Sequence, residues 1–235
     1  MQNMPTANSA NAILAGLAPE DVAALHAGAE HVAFDRADSI VEPGEGSPYV
    51  YFPTQGVLSL IGTTSGGGTV EVAVVGNEGV IGVPAFFANH PMPFGVVAQV
   101  PTRAIRVPQE VVAEAMADCG ELHRRILAYT HQLLAQVAQS AVCNRFHSAR
   151  QRLARWLLMI AERAGMDVLP LTHEFISCMV GGPRSAVTEA ASELRDSGAI
   201  DYRRGLILIR DPELLRRYAC ECYGVLREDN AAVVA

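Results

Sequence analysis

The sequence predicts an α+β protein in three parts: a β-rich N-terminal half, a long central helix, and two short C-terminal helices followed by a two-stranded wing. Three observations carry this. Short β-like runs succeed one another from His31 to Val107, the stretch from Gln109 to Arg163 contains no proline, and Leu171 to Ile209 switches from helical to strand periodicity around glycine-rich turns.

In the N-terminal half the runs are Tyr49 to Phe52, Val57 to Ile61, Val70 to Val75, Val96 to Val100 and Ala104 to Val107. Turn signals separate them at Pro43 to Gly46, Ser65 to Gly68 and Gly76 to Gly79, the regular spacing of a small sandwich or barrel. Gly66 to Gly68 reads as a hairpin tip, because no helix follows it and no Gly-Lys-Ser/Thr ending makes it a phosphate loop. In the central stretch Leu122, Ile126, Tyr129, Leu133 and Val137 recur at helical spacing, with Leu127, Leu134 and Ala141 beside them. That broad apolar seam suits a partner helix, so a homodimer is expected. A hinge near Phe146-His147-Ser148 leads to Ala149–Ala164, whose Leu153, Trp156, Leu157 and Ile160 belong to a C-terminal core.

The C-terminal pair is the most informative segment. Thr172 caps a first helix with Phe175, Ile176, Met179 and Val180 on one face, and Gly181-Gly182-Pro183 makes the turn, proline taking the first position of the second helix. There Val187, Ala190, Ala191 and Leu194 face inward, while Arg184, Ser185, Thr188, Glu189 and Ser192 form the outer stripe. Arginine bonds guanine bidentately, glutamate accepts from cytosine, and Ser or Thr bonds either base type, so the stripe has the chemistry of major-groove readout. Gly198 ends the helix, and Arg203 and Arg204 stand at the tip of a hairpin where they meet phosphate.

Composition sets bounds. The net charge is −7, yet residues 1–140 hold 5 arginines against 13 carboxylates and residues 141–235 hold 13 against 12, so the acid lies in the N-terminal half. Lysine is absent, and Arg145, Arg150, Arg152, Arg155, Arg184, Arg203 and Arg204 give the C-terminal part a locally positive character that acts on phosphate at short range. No apolar run spans a bilayer and the N-terminal segment lacks a signal-peptide pattern, so no membrane partner and a cytoplasmic location are expected. Five scattered cysteines form no disulfide framework.

The stretch Leu171-Thr172, Val180-Gly181, Arg184, Val187-Thr188, Leu194, Gly198 and Ile200 resembles the helix-turn-helix of the cyclic-AMP receptor/fumarate-nitrate regulator (Crp/Fnr) family. Ile40-Val41-x-Pro43-Gly44-Glu45, Tyr51-Phe52-x-x-x-Gly56-Val57 and Gly79-Val80-Ile81-Gly82 resemble its jelly-roll sensor. The resemblance implies a jelly-roll, cyclic-nucleotide-binding-like domain over residues 1–108, a dimerisation helix and hinge over 109–147, and a winged helix-turn-helix over 148–235. It places Arg184, Ser185, Thr188 and Glu189 at base-reading positions, and Thr172 and His173 against backbone phosphate. The implied partners are a second copy of the chain, double-stranded DNA with a near-palindromic operator, and RNA polymerase.

The sensor departs from the family's nucleotide binders, which follow the last glycine with a glutamate for the ribose and later supply an arginine for the phosphate. Here Val83 takes the first position and Asn89 to Phe94 offers no fixed cation, so control by cyclic AMP is not expected. Val83, Phe86, Phe87 and Phe94 would line a pocket for an apolar effector, or for none. No cofactor and no metal are expected: Cys119 and Cys143 stand alone, Cys220-Glu221-Cys222 supplies two ligands only, His90 in an apolar loop reads as a loop histidine in preference to a haem ligand, and His26, His31, His123, His131 and His147 show no ligand spacing. No catalytic constellation marks an enzyme, which leaves a sequence-specific regulator as the reading. The rivals are an interaction protein with a ligand-free sensor and, least favoured, an enzyme with an appended nucleic-acid module. Retained partner binding without operator binding would identify the first, and turnover by residues 1–108 the second.

Overall fold

Two antiparallel sheets make the N-terminal half of the structure, a computed structural model describing residues 10–26, 28–82, 91–117 and 119–227. The strands are β1 (Glu30–Phe34), β2 (Ser39–Val41), β3 (Tyr49–Gln55), β4 (Leu58–Thr63), β5 (Thr69–Val75), β6 (Gly95–Ala98) and β7 (Thr102–Pro108). One sheet has the order β1-β7-β3 and the other β2-β6-β4-β5, the non-sequential order of a jelly-roll sandwich. All five expected runs are strands, and β1 and β2 add two more. Gly66 to Gly68 lies in the β4–β5 hairpin loop, closed where Thr64 N–H donates to Gly68 O at 2.8 Å.

The sandwich interior is aliphatic. Val50, Phe52, Leu58, Val75, Val96 and Ala98 are fully enclosed, each larger side chain contributing about 1.5–3 kcal/mol of transfer free energy. Two short helices, α1 (Ala12–Ala15) and α2 (Pro19–His26), close one end. Asn11 pins the first of them: its side chain accepts from Ile13 N–H and Leu14 N–H and donates to Pro53 O and Gly79 O at 2.8 and 2.9 Å.

The central stretch is two helices, α3 (Gln109–Met116) and α4 (Glu121–Phe146), then α5 (Ala149–Ala164) beyond the hinge. A break between helices stands at the expected hinge position. His147 caps α4 in an extended conformation, and Ser148 opens α5 with a reciprocal capping box to Gln151.

The seam requires correction. Leu122, Ile126 and Tyr129, expected to face a partner helix, are buried against the chain's own sandwich core, and the buried row continues through Gln132, Gln136, Ser140 and Cys143, the last packed with Cys220 and Cys222. Leu133 and Val137 are half-buried against that core, and the outward positions are Leu127, Leu134 and Val142. Glutamines enter the buried row because α4 covers strand β5: Gln136 accepts from Val74 N–H at 2.6 Å and donates to Val74 O at 3.1 Å. Tyr129 lies over Gly79 so closely that a Cβ there would come within 2.4 Å of its ring, so this glycine is required by packing.

The C-terminal part comprises β8 (Val168–Leu169), α6 (His173–Val180), α7 (Arg184–Asp196), β9 (Ile200–Arg203), β10 (Leu206–Ile209) and α8 (Pro212–Tyr218), with a last helical stretch at 222–227. The wing is three-stranded, in the order β8-β10-β9. Its core joins the sandwich. Trp156, Leu157 and Ile160 of α5 and Met179 of α6 share one apolar cluster with Val57, Ile61, Val74 and Val100.

Candidate nucleic-acid interface

Two helices and a turn are built here as their residues dictate. Thr172 caps α6 by accepting from Phe175 N–H at 3.2 Å, and the helix ends at Gly181, whose φ of 71° is glycine's region. Gly182 follows at φ 130°, and Pro183 stands at the N-cap of α7, one position before the one expected, because its ψ of 144° is still extended. Val187, Ala190, Ala191 and Leu194 are buried. Arg184, Ser185, Thr188 and Glu189 are all exposed, on the opposite face of α7, and Ser192 is half-buried.

Within that face Thr188 and His173 are coupled. The Thr188 hydroxyl donates to Arg184 O at 2.9 Å, so its oxygen is left to accept from His173 Nδ1–H at 3.3 Å. The His173 ring stacks on Tyr202 of the wing, with centroids 4.3 Å apart, and its Nε2 is enclosed without a hydrogen-bond partner. Burial, with Arg184 nearby, holds His173 below the ordinary histidine range, which keeps the ring neutral. The stack fastens the wing to α6 and α7. At the wing tip Arg204 (φ 48°) and Gly205 (φ 79°) form a two-residue turn with positive φ at both positions. Arg203 is the last residue of β9, exposed, with its Nε 3.2 Å from Asp201. Asp201 also meets Arg210 at 3.2 Å, and the Arg210 hydrogen bond and the Arg203 charge hold its carboxyl below the usual range.

Sequence profiles of known families match the same two regions. The Crp-like helix-turn-helix domain matches residues 151–218 and the cyclic nucleotide-binding domain matches residues 31–119. The chain belongs to the Crp/Fnr family of transcription regulators. Among relatives of this Crp/Fnr regulator is the global nitrogen regulator of Nostoc sp., 24% identical over 193 residues covering 78% of this chain and 86% of that protein. Another is the CRP-like cAMP-activated global transcriptional regulator of Mycobacterium tuberculosis, 24% identical over 214 residues covering 88% and 96%. The solved structure of FixK2 from Bradyrhizobium japonicum shares the fold with a TM-score of 0.69 at 20% identity, covering 82% of this chain and 98% of that one.

Other expected features of the regulator are not gathered at this face. Arg152 and Arg155 point inward. Arg152 donates to Gly181 O at 2.6 Å and to Asn144 O and His147 O at 3.2 and 3.3 Å, tying the hinge to the turn between α6 and α7. Arg155 is only 8% exposed, so neither belongs to the positive surface. Of the expected pocket, Val83, Phe86 and Phe87 lie outside the described residues, as does His90, and Phe94 is half-buried against the sandwich core. No described helix is long and apolar enough to cross a membrane.

One expectation about cysteine is overturned. Cys143 does not stand alone, and His147 is no isolated histidine: with Cys220 and Cys222 they present ligand atoms that all lie within 4.8 Å of one another. Cys143 and His147 are four apart at the end of α4, so they share a face, and that spacing was the available signal. The fold alone brings the C-terminal pair to them.

Proposed function

We propose that this regulator binds a near-palindromic operator as a homodimer, reading bases with Arg184, Ser185, Thr188 and Glu189 and holding phosphate with Thr172, Arg203 and Arg204, while His173, expected at phosphate, has its Nδ1–H on Thr188 and its Nε2 enclosed and instead fastens the wing. One observation carries the reading: the four polar residues of α7 stand exposed together beside a wing that ends in arginine. Their donors and acceptors match base edges, and the two glycines and the proline before α7 leave its N-terminal turn open to a groove. Arg203 turns partly toward Asp201, so Arg204 is the stronger phosphate contact of the two.

The homodimer reading rests on Leu127, Leu134 and Ala141, exposed in one line along α4 at seven-residue spacing. Such a row is the contact of a two-helix coil, and a dimer with two reading helices calls for an operator with two half-sites. The division is a sensor over 1–108, a dimer helix and hinge over 109–147 and a reading domain over 148–235. The protein acts in the cytoplasm without catalysis of its own, RNA polymerase being its further partner. Control by cyclic AMP, part of the name of the mycobacterial relative, is not carried over, since Val83 and the cation-free Asn89 to Phe94 replace the ribose and phosphate partners.

Selection of bound duplexes from a random pool tests the reading. The expected product is one motif with two inverted half-sites. Recovery of sequence-independent binding alone would overturn it.

A further inference from the structure

Three buried thiols and an imidazole converge at the hinge. Cys143 comes from the last turn of α4, His147 is that helix's cap, and Cys220 and Cys222 lie after α8. Cys143 Sγ and Cys220 Sγ are 3.5 Å apart, and Cys222 Sγ is 3.5 Å from His147 Nδ1. A tetrahedral ion with metal–sulfur bonds of about 2.3 Å and a metal–nitrogen bond of about 2.0–2.1 Å has edges of about 3.5–3.8 Å, so these two separations already match a single ion's ligand shell, and the others, all within 4.8 Å, would close by about 1 Å at most on binding.

The surroundings point the same way. His147 Nε2 lies 3.1 Å from the Glu221 carboxylate, which selects the tautomer protonated at Nε2 and leaves the Nδ1 lone pair aimed at the thiols. Gln139 Nε2 donates to Cys222 Sγ at 2.9 Å, a contact that favours thiolate. Arg155, buried and without a partner at Nε, supplies positive charge close to Cys143 and Cys220. Three thiolates, a neutral imidazole and a divalent ion carry one net negative charge, which this guanidinium offsets. Packing of small apolar groups would account for three buried cysteines. It would not account for a histidine oriented by a carboxylate toward them.

We propose that Cys143, His147, Cys220 and Cys222 form a mononuclear site for a thiophilic divalent cation of the zinc class. Binding is ligand exchange without redox change: water leaves the ion, the three thiol protons pass to buffer, and three sulfur bonds and one nitrogen bond form. Such an ion would fasten the C-terminal tail to the hinge between the sensor and the reading domain. An iron–sulfur cluster has sulfides and several irons to accommodate, and would force these ligands further apart.

Titration of the reduced, chelator-treated full chain with Co²⁺ tests this. The expected result is saturation at one ion per chain, with intense tetrahedral visible bands and thiolate-to-cobalt absorption, both displaced by Zn²⁺. Cys143→Ser and Cys222→Ser should lose the thiolate bands or bind far more weakly, Glu221→Gln should bind about tenfold or more weakly, and exposed Cys119→Ser should match the parent. Should a variant fail to fold, the parent titration still decides. A natively folded parent with no cobalt bands at millimolar metal would overturn the proposal. So would a Cys143–Cys220 disulfide persisting in the reduced protein, or several irons with sulfide in anaerobically isolated protein.

Discussion

Arg184 and Glu189 sit on α7 with their side chains in solvent, so their exchange for alanine disturbs no core, and in the proposed reading it removes base partners. Each substitution should cost about 1–3 kcal/mol of discrimination at particular base pairs while leaving others untouched. Competition binding with single-base variants of the selected operator measures this, and uniform weakening would assign the pair to backbone contacts. Arg204 belongs to the other class. Arg204→Asn keeps a residue tolerant of positive φ at the turn but removes the cation, so the slope of log affinity against log salt should fall by about 0.9 with base preference unchanged. A shifted preference would contradict a phosphate role.

At the scale of elements, α4 has two unlike faces. One face lies on the sandwich through Leu122, Ile126, Tyr129 and the Gln136 pair with Val74, and the other carries Leu127 and Leu134, the latter 67% exposed. Leu134→Asp should therefore convert a dimer to monomers and weaken operator binding by about tenfold or more, about 1.4 kcal/mol, while the melting transition of the sandwich persists. Sedimentation with the parent as reference checks it, and an unchanged dimer would remove α4 from the interface. Leu133→Asp is the contrasting change, because it drives a carboxylate against the chain's own core and lowers stability before it touches association. Apolar periodicity marked α4 as a helix but could not say which rows face inward, since glutamine fills buried positions wherever it meets strand backbone.

For the whole molecule the contact that matters lies between the sensor and the reading domain. Glu71 of β5 accepts from Trp156 Nε1–H of α5 at 2.9 Å and from Ser59 Oγ–H at 2.9 Å, and Gln99 donates to the same carboxyl. Nearby, Arg163 of α5 pairs with Glu78 at 2.7 Å, both largely buried. Desolvation outweighs the donors and raises Glu71 to about 8. A folded-state value above the unfolded one means that this carboxyl imposes no cost below about pH 4.5. The cost then grows as pH rises through about 8, by up to about 1.4 kcal/mol per unit. Glu71→Gln keeps an acceptor for Trp156 and cannot ionise. Its stability relative to the parent should rise between about pH 5 and 8, as read by denaturant melts. A pH-independent difference between the two would show that Glu71 is ionised throughout. Because Trp156 and Arg163 hold α5 to the sensor while Arg152 holds the hinge to the turn before α7, a change in packing at β5 has a short mechanical route to the reading helix.

By itself the sequence determined the elements whose cause is local. The Thr172 cap, the Gly181-Gly182-Pro183 turn, the buried and exposed faces of α7 and the break at Ser148 all depend on residues within a few positions of one another, and apart from the one-position shift of Pro183 and the half-burial of Ser192 each appears where its spacing placed it. The tertiary structure alone decided contacts between distant segments. Periodicity carries no information about which element will cover a face, so the enclosure of Arg155 and Glu71, the inward row of glutamines on α4 and the stack of His173 on Tyr202 were beyond its reach. The cysteines show the limit most plainly. Cys143 and Cys220 are 77 residues apart along the chain, and only the return of the tail to the hinge makes them neighbours.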